Sequence, residues 1–287
     1  MTGVIIKGIG GFYYVLVDDH IYECKARGIF RKNHIIPMVG DRVLIEISID
    51  GQATVDTILP RTNSFKRPPV ANVETMVLVA AVMDPKPNMF LLDRFTVAAA
   101  ESGTDVILCV NKMDLAKDNI LEEFSNIYSS VYPLFFVSGK TGEGMEELKN
   151  ALRGTQAALA GPSGVGKSTL LNALLGSQRN ITGVISEKTS RGKHTTRHTE
   201  LFAGEGLALF DTPGFTSFEL TDVNEENLQS DFPEIIPFIG KCRFDDCRHL
   251  LEPECAVIGA VADGHIHKSR YYSYVEMLKS IRANKKF

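Results

Sequence analysis

Eight consecutive residues restrict this chain more than any other stretch: Gly161-Pro162-Ser163-Gly164-Val165-Gly166-Lys167-Ser168. The spacing of glycines, lysine and serine is that of a phosphate-binding P-loop, which requires a strand before it and a helix after it. The apolar run Ala157-Ala158-Leu159-Ala160 and the helix-forming residues 169–176 supply both. Gly161 and Gly166 let backbone amides close on phosphate oxygens without a Cβ in the way, at a helix N-terminus that already favours an anion. The expected phosphate-facing set is Gly161, Ser163, Gly164, Val165, Gly166, Lys167, Ser168 and Thr169. Lys167 is expected to neutralise β- and γ-phosphate charge during catalysis, and Ser168 to ligate Mg²⁺.

A P-loop does not choose a base. Asn111-Lys112-Met113-Asp114 follows the apolar run Val106-Ile107-Leu108-Cys109-Val110, which reads as a buried parallel strand. Such a loop suits guanine: Asp114 accepts from N1–H and the exocyclic amine, Asn111 bonds the O6/N7 side, and the Lys112 stem packs on the ring. Adenine would set an acceptor against the carboxylate, a mismatch that discriminates strongly. Ser138, Gly139 and Lys140 follow a second apolar run and are expected to brace the base with backbone N–H groups. Asp211-Thr212-Pro213-Gly214 ends the strand-like Leu207-Ala208-Leu209-Phe210, where Asp211 would hold Mg²⁺ through water and the Gly214 N–H would sense the γ-phosphate. The base loops thus precede the phosphate loop. That order is harmless, because an open α/β sheet gathers ligand loops at its carboxyl edge whatever their chain order.

With a Cys/His cluster behind these motifs, the chain resembles the circularly permuted GTPases of the ribosome small-subunit-dependent GTPase A (RsgA) family. The resemblance covers essentially the whole chain. It implies a GTP hydrolase, binding GTP and GDP, that contacts the small ribosomal subunit and its rRNA during late maturation and leaves after hydrolysis.

Residues 185–199 are polar, basic and without periodicity, and read as a mobile loop that orders around the γ-phosphate and Mg²⁺. By the family pattern Thr196 closes the Mg²⁺ shell with Ser168 and Asp211, with Thr195 as the alternative. Phe215 stands where many GTPases carry a water-orienting Gln and cannot hydrogen-bond water, so another group must orient the nucleophile. His194 and His198 are the candidates. The resemblance favours His194 as the catalytic group, although Lys193 replaces the family's Arg.

The chain has 287 residues, 44% hydrophobic and 23% charged, enough for two or three domains. A net charge of −4 gives no global basic footprint, so any RNA contact must be local. With neither a signal-peptide pattern nor an apolar run of membrane-spanning length, a cytoplasmic protein off the membrane is expected. A monomer is expected.

The fold expected is multidomain. Residues 1–66 hold five short β signals and suggest an OB-like β-barrel, for which the resemblance implies contact with small-subunit rRNA. Its RNA-facing loop is read as Arg27-Gly28-Ile29-Phe30-Arg31-Lys32-Asn33-His34, with Phe30 stacking on a base between cations. Pro60, Pro68 and Pro69 mark a semi-rigid linker. Residues 67–220 form a circularly permuted α/β P-loop G domain. Residues 221–287 form a small α-helical zinc-binding domain with helical signals at 233–238 and 271–283. There Cys242, Cys247, His249 and Cys255 offer a closed tetrahedral Zn²⁺ site, structural because four protein ligands leave no open position. His265 and His267 are reserve ligands. Cys24 and Cys109 sit alone in apolar runs and read as core residues.

Overall fold

The computed structural model describes residues 1–176, 199–204, 206–211 and 223–284. Five strands open the chain: β1 (Thr2–Ile9), β2 (Phe12–Val17), β3 (His20–Ala26), β4 (Arg42–Ile47) and β5 (Ala53–Ile58). They pair in the order β1-β2-β3-β5-β4, and β4 returns to β1 at Thr2↔Leu44, so the sheet closes into the expected barrel. Alternation turns Ile5, Val15, Val17, Cys24, Val43, Ile45 and Val55 into its interior.

Phe30 joins that interior, which corrects its reading as a base-stacking ring. Gly28–Lys32 is a short helix, α1, and it carries Phe30 inward at 7% exposure. Arg27 is likewise engaged, bridging Glu46 and Asp56 of the barrel wall. One aromatic in a polar stretch fits either a stacking platform or a core plug; burial of its ring favours the plug. The proline-bearing connection also holds more structure than a linker. It contains the hairpin β6 (Ser64–Lys66) and β7 (Pro69–Ala71), and Arg61 pairs with Asp41 of the barrel at 2.7 Å.

A second group of strands runs β10 (Leu134–Phe136), β9 (Asp105–Asn111), β8 (Thr75–Ala81), β11 (Gln156–Ala160), β13 (Leu207–Asp211) and β12 (Glu200–Gly204) across one sheet. All but β12 are parallel to their neighbours. All seven residues of β8 are buried, as a central parallel strand covered on both faces requires. On one face α2 (Met89–Glu101) and α3 (Ile120–Tyr128) share a core with Met76, Leu78 and Phe210. On the other, α4 (Met145–Ala151) and α5 (Lys167–Leu175) pack on Val77, Leu159 and Leu209. Edge strand β12 meets β1 of the barrel at Lys7↔Glu200, which joins both groups of strands in one sheet.

The C-terminal module contains α6 (Ala256–Ala262) and α7 (Lys268–Asn284) around Phe232, Ile235, Tyr274 and Leu278. Val97 of α2 belongs to the same core, so the module packs on the G domain. Residues 236–238 form a 3-10 turn where the prolines cut short the expected helix. Among the described residues, no helix is long and apolar enough to cross a membrane.

Candidate functional site

The carboxyl ends of β8, β9, β11 and β13 come together at one edge of the sheet, where ladder registers set Ala81 beside Asn111 and Phe210 beside Ala158. From β11 the chain turns into the glycine-rich loop with φ of +141° at Gly161 and +96° at Gly166. A Cβ at Gly161 would lie 2.3 Å from the Val79 carbonyl, and one at Gly166 would lie 2.3 Å from Asn111 Nδ2. Neither position admits a side chain. Ser163, Gly164, Ser168 and Thr169 are exposed at the mouth, whereas Val165 is buried beneath.

Lys167 folds back over its own loop, donating from Nζ to the carbonyls of Gly161 and Pro162 at 2.7 Å each. Burial lowers its pKa from the usual lysine value. The ammonium is thus held at the mouth of the glycine-rich loop.

Asn111 ties three loops into one object. It is 2% exposed, its Nδ2 donates to Val165 O at 2.8 Å, and its Oδ1 accepts from Gly139 N at 3.0 Å. The expected partner of Asn111 and of the Gly139 N–H is the base; in the structure they bond each other. Ser138, fully buried, donates from Oγ to Asp114 Oδ1 at 2.7 Å and aims that exposed carboxylate. Lys112, at φ +65°, donates from Nζ to the Asp84 carbonyl. Lys140 is exposed beside them, and Asp211 ends β13 next to the P-loop strand. His194, His198, Thr195, Thr196 and Gly214 lie outside the described residues.

Cys242, Cys247, His249 and Cys255 also converge, with their ligand atoms all within 4.8 Å of one another. Cys242 Sγ and Cys255 Sγ are 3.8 Å apart, and His249 Nδ1 lies 3.3–3.5 Å from the three sulfurs. A Zn²⁺ tetrahedron has S···S edges of roughly 3.8 Å and S···N edges of roughly 3.6 Å, from bonds of about 2.3 and 2.0–2.1 Å. The donor set therefore suits a tetrahedral metal ion, which would draw in those edges that exceed 3.8 Å. Burial pushes the Cys247 thiol up to about 12, so a cation is what would hold it as thiolate. His249 Nε2 meets Gln229 Oε1 at 2.9 Å, which directs Nδ1 toward the sulfurs. Gln229 carries no local sequence signal and was not foreseen. His265 and His267 lie outside the cluster; His267 Nδ1 instead accepts from Ser269 N at 3.2 Å.

A glycine-cradled phosphate loop at the head of a parallel sheet, tied through Asn111 to base-facing loops that precede it in the chain, defines a circularly permuted P-loop GTPase. A family model described as RsgA GTPase matches residues 58–221, and one described as RsgA N-terminal domain matches residues 2–55. The chain belongs to the RsgA GTPase family and is a GTP hydrolase. It is 45% identical, over the full length of both, to the small ribosomal subunit biogenesis GTPase RsgA of Clostridium kluyveri. Two solved structures are similar. YjeQ from Thermotoga maritima has TM-score 0.84 and 35% identity over 98% of each chain. YloQ, a circularly permuted GTPase, has TM-score 0.86 and 36% identity over 99% of this chain and 95% of that one.

Proposed function

We propose that this GTPase binds the small ribosomal subunit, contacts its rRNA, and acts in the subunit's late maturation with turnover that the subunit stimulates. The observation that carries the reading is the end-to-end match to a small ribosomal subunit biogenesis GTPase at 45% identity. The protein works in the cytoplasm as a monomer and divides into the barrel (1–66), the G domain (67–220) and the C-terminal module (221–287).

In this reading Asp114, held by Ser138, reads the guanine edge, while Asn111 fixes the loop that presents it and the Lys112 stem covers the ring. Gly139 and Lys140 complete that wall. The amides of Ser163, Gly164, Val165, Gly166 and Thr169, with Gly161 at the turn, wrap the phosphates. Lys167 exchanges its two carbonyl partners for phosphate oxygens and offsets the negative charge that builds up there. Ser168, Thr196 and Asp211 hold Mg²⁺, Gly214 meets the γ-phosphate, and His194 orients the attacking water. Cys242, Cys247, His249 and Cys255 hold a structural Zn²⁺, which staples the C-terminal module.

The test is GTP turnover by the full chain alone and with purified small subunits, large subunits or free RNA. Stimulation by small subunits alone is expected. Equal stimulation by any RNA would overturn the ribosomal assignment.

A further inference from the structure

Among the barrel residues that meet the G domain, Lys7 pairs with the strand next to β13. Lys7 in β1 is 4% exposed, and its Nζ meets Glu200 Oε2 at 3.1 Å. Simple alternation would have turned Lys7 into the barrel with Ile5. A bulge between Ile5 and Lys7 sets Lys7 opposite Tyr14 instead, where it pairs with β12.

Glu200 has a second neighbour. Across the antiparallel ladder its register partner is Asp211, so Lys7, Glu200 and Asp211 form one rung spanning three strands. Directly opposed residues share a face with Cβ atoms roughly 4.5–5.5 Å apart, and like charges so placed repel. Two positions along, Phe202 and Leu209 occupy the face that α5 covers, which puts Glu200 and Asp211 on the side of the P-loop helix. A carboxylate expected to serve Mg²⁺ therefore stands across from a second carboxylate, and the cation that offsets the second comes from another domain.

We propose that Lys7 is a positioning residue for GTP hydrolysis: by neutralising Glu200 it lets the end of β13 present Asp211 to the Mg²⁺ site. The proposal rests on the Mg²⁺ role given to Asp211 above. It makes the barrel part of the catalytic apparatus as well as a docking module. Substrate affinity, set by Asp114 and the phosphate loop, lies outside the rung and should be spared.

Steady-state GTP turnover of the full chain at saturating Mg²⁺ tests this. Lys7→Met is expected to lower kcat about tenfold with KM for GTP within twofold. Lys7→Arg should keep kcat near wild type, and Glu200→Gln added to Lys7→Met should restore most of the loss by removing the unbalanced carboxylate. Should Lys7→Met not fold, Lys7→Gln keeps a hydrogen bond to Glu200 while removing the charge, and reads the same kcat. A kcat within twofold of wild type in the folded neutral variant overturns the proposal, as does a loss that Lys7→Arg shares. Asp211→Asn separates the two readings. Unimpaired turnover there would remove the Mg²⁺ assignment itself, whereas an impaired Asp211→Asn beside an unimpaired Lys7→Met removes the rung alone.

Discussion

Arg270 of α7 donates from Nη1 to Asp93 Oδ1 of α2 at 2.6 Å, and the two side chains are 1% and 0% exposed. The same guanidinium donates from Nε to Glu234 at 2.6 Å and lies 4.8 Å from the Phe232 ring centroid. Tyr128 completes the setting, donating its hydroxyl to Asp93 Oδ1 at 2.8 Å. One cation thus serves two buried carboxylates, and it fastens the C-terminal module to the G domain.

Arg270→Met removes the cation and leaves Asp93 and Glu234 without it in a dry setting. Breaking a buried pair from one side costs about 3–5 kcal/mol. Denaturant unfolding should show that loss; a loss below about 1 kcal/mol would mean that water reaches the carboxylates.

Gly166→Ala would place a methyl against the Asn111 amide at a backbone angle that side chains rarely adopt. Strain of about 1–3 kcal/mol, borne by the loops that wrap the nucleotide, corresponds to roughly 5- to 150-fold weaker GTP binding. Fluorescent-nucleotide titration measures it, and Gly28→Ala, with open space around its Cβ and no left-handed backbone, is the comparison.

Asp231 gives a pH dependence. Burial, and then Glu101 nearby, push its carboxyl up to about 8, and its Oδ2 has no hydrogen-bond partner. The folded state therefore holds a proton that the unfolded chain releases near pH 4. Because the folded form binds more protons, stability falls as pH rises from about 4 to about 8. Asp231→Asn should flatten that slope and stabilise the protein at pH 8 by roughly 1–3 kcal/mol, the scale of an unsatisfied buried group. Urea midpoints across this range read the effect.

The Cys/His cluster predicts one tightly held metal ion per chain by elemental analysis. Its ligands must shed protons to bind, so affinity should fall as pH falls. Cys247→Ser should release the ion and loosen the core formed with Cys255, Val257 and Tyr274, seen as faster proteolysis of the C-terminal module.

The strands and the phosphate loop were legible because each rests on local pattern: apolar runs for β8 and β9, alternation in the barrel, glycine spacing at 161–166. The convergence of Cys242, Cys247, His249 and Cys255 was legible for the same reason, since they lie within fourteen residues. Arg270 was not. A charged residue amid a terminal helix reads as solvated, and its partner Asp93 lies 177 residues away. Asn111 was expected to meet the base, and its use as a brace depends on the Val165 carbonyl, which no side-chain pattern reveals. Phe30 failed because Arg27 and Lys32 are exposed while the ring between them is buried.

The contact between β1 and β12 has a consequence for solubility. Strand β12 is the last of the G-domain strands, and a strand left at a sheet margin offers its unpaired amides and carbonyls to other chains. The barrel occupies part of that margin at Glu200. A fragment without residues 1–58 would uncover a template for self-association, and such a G domain should be harder to keep dispersed than the intact chain.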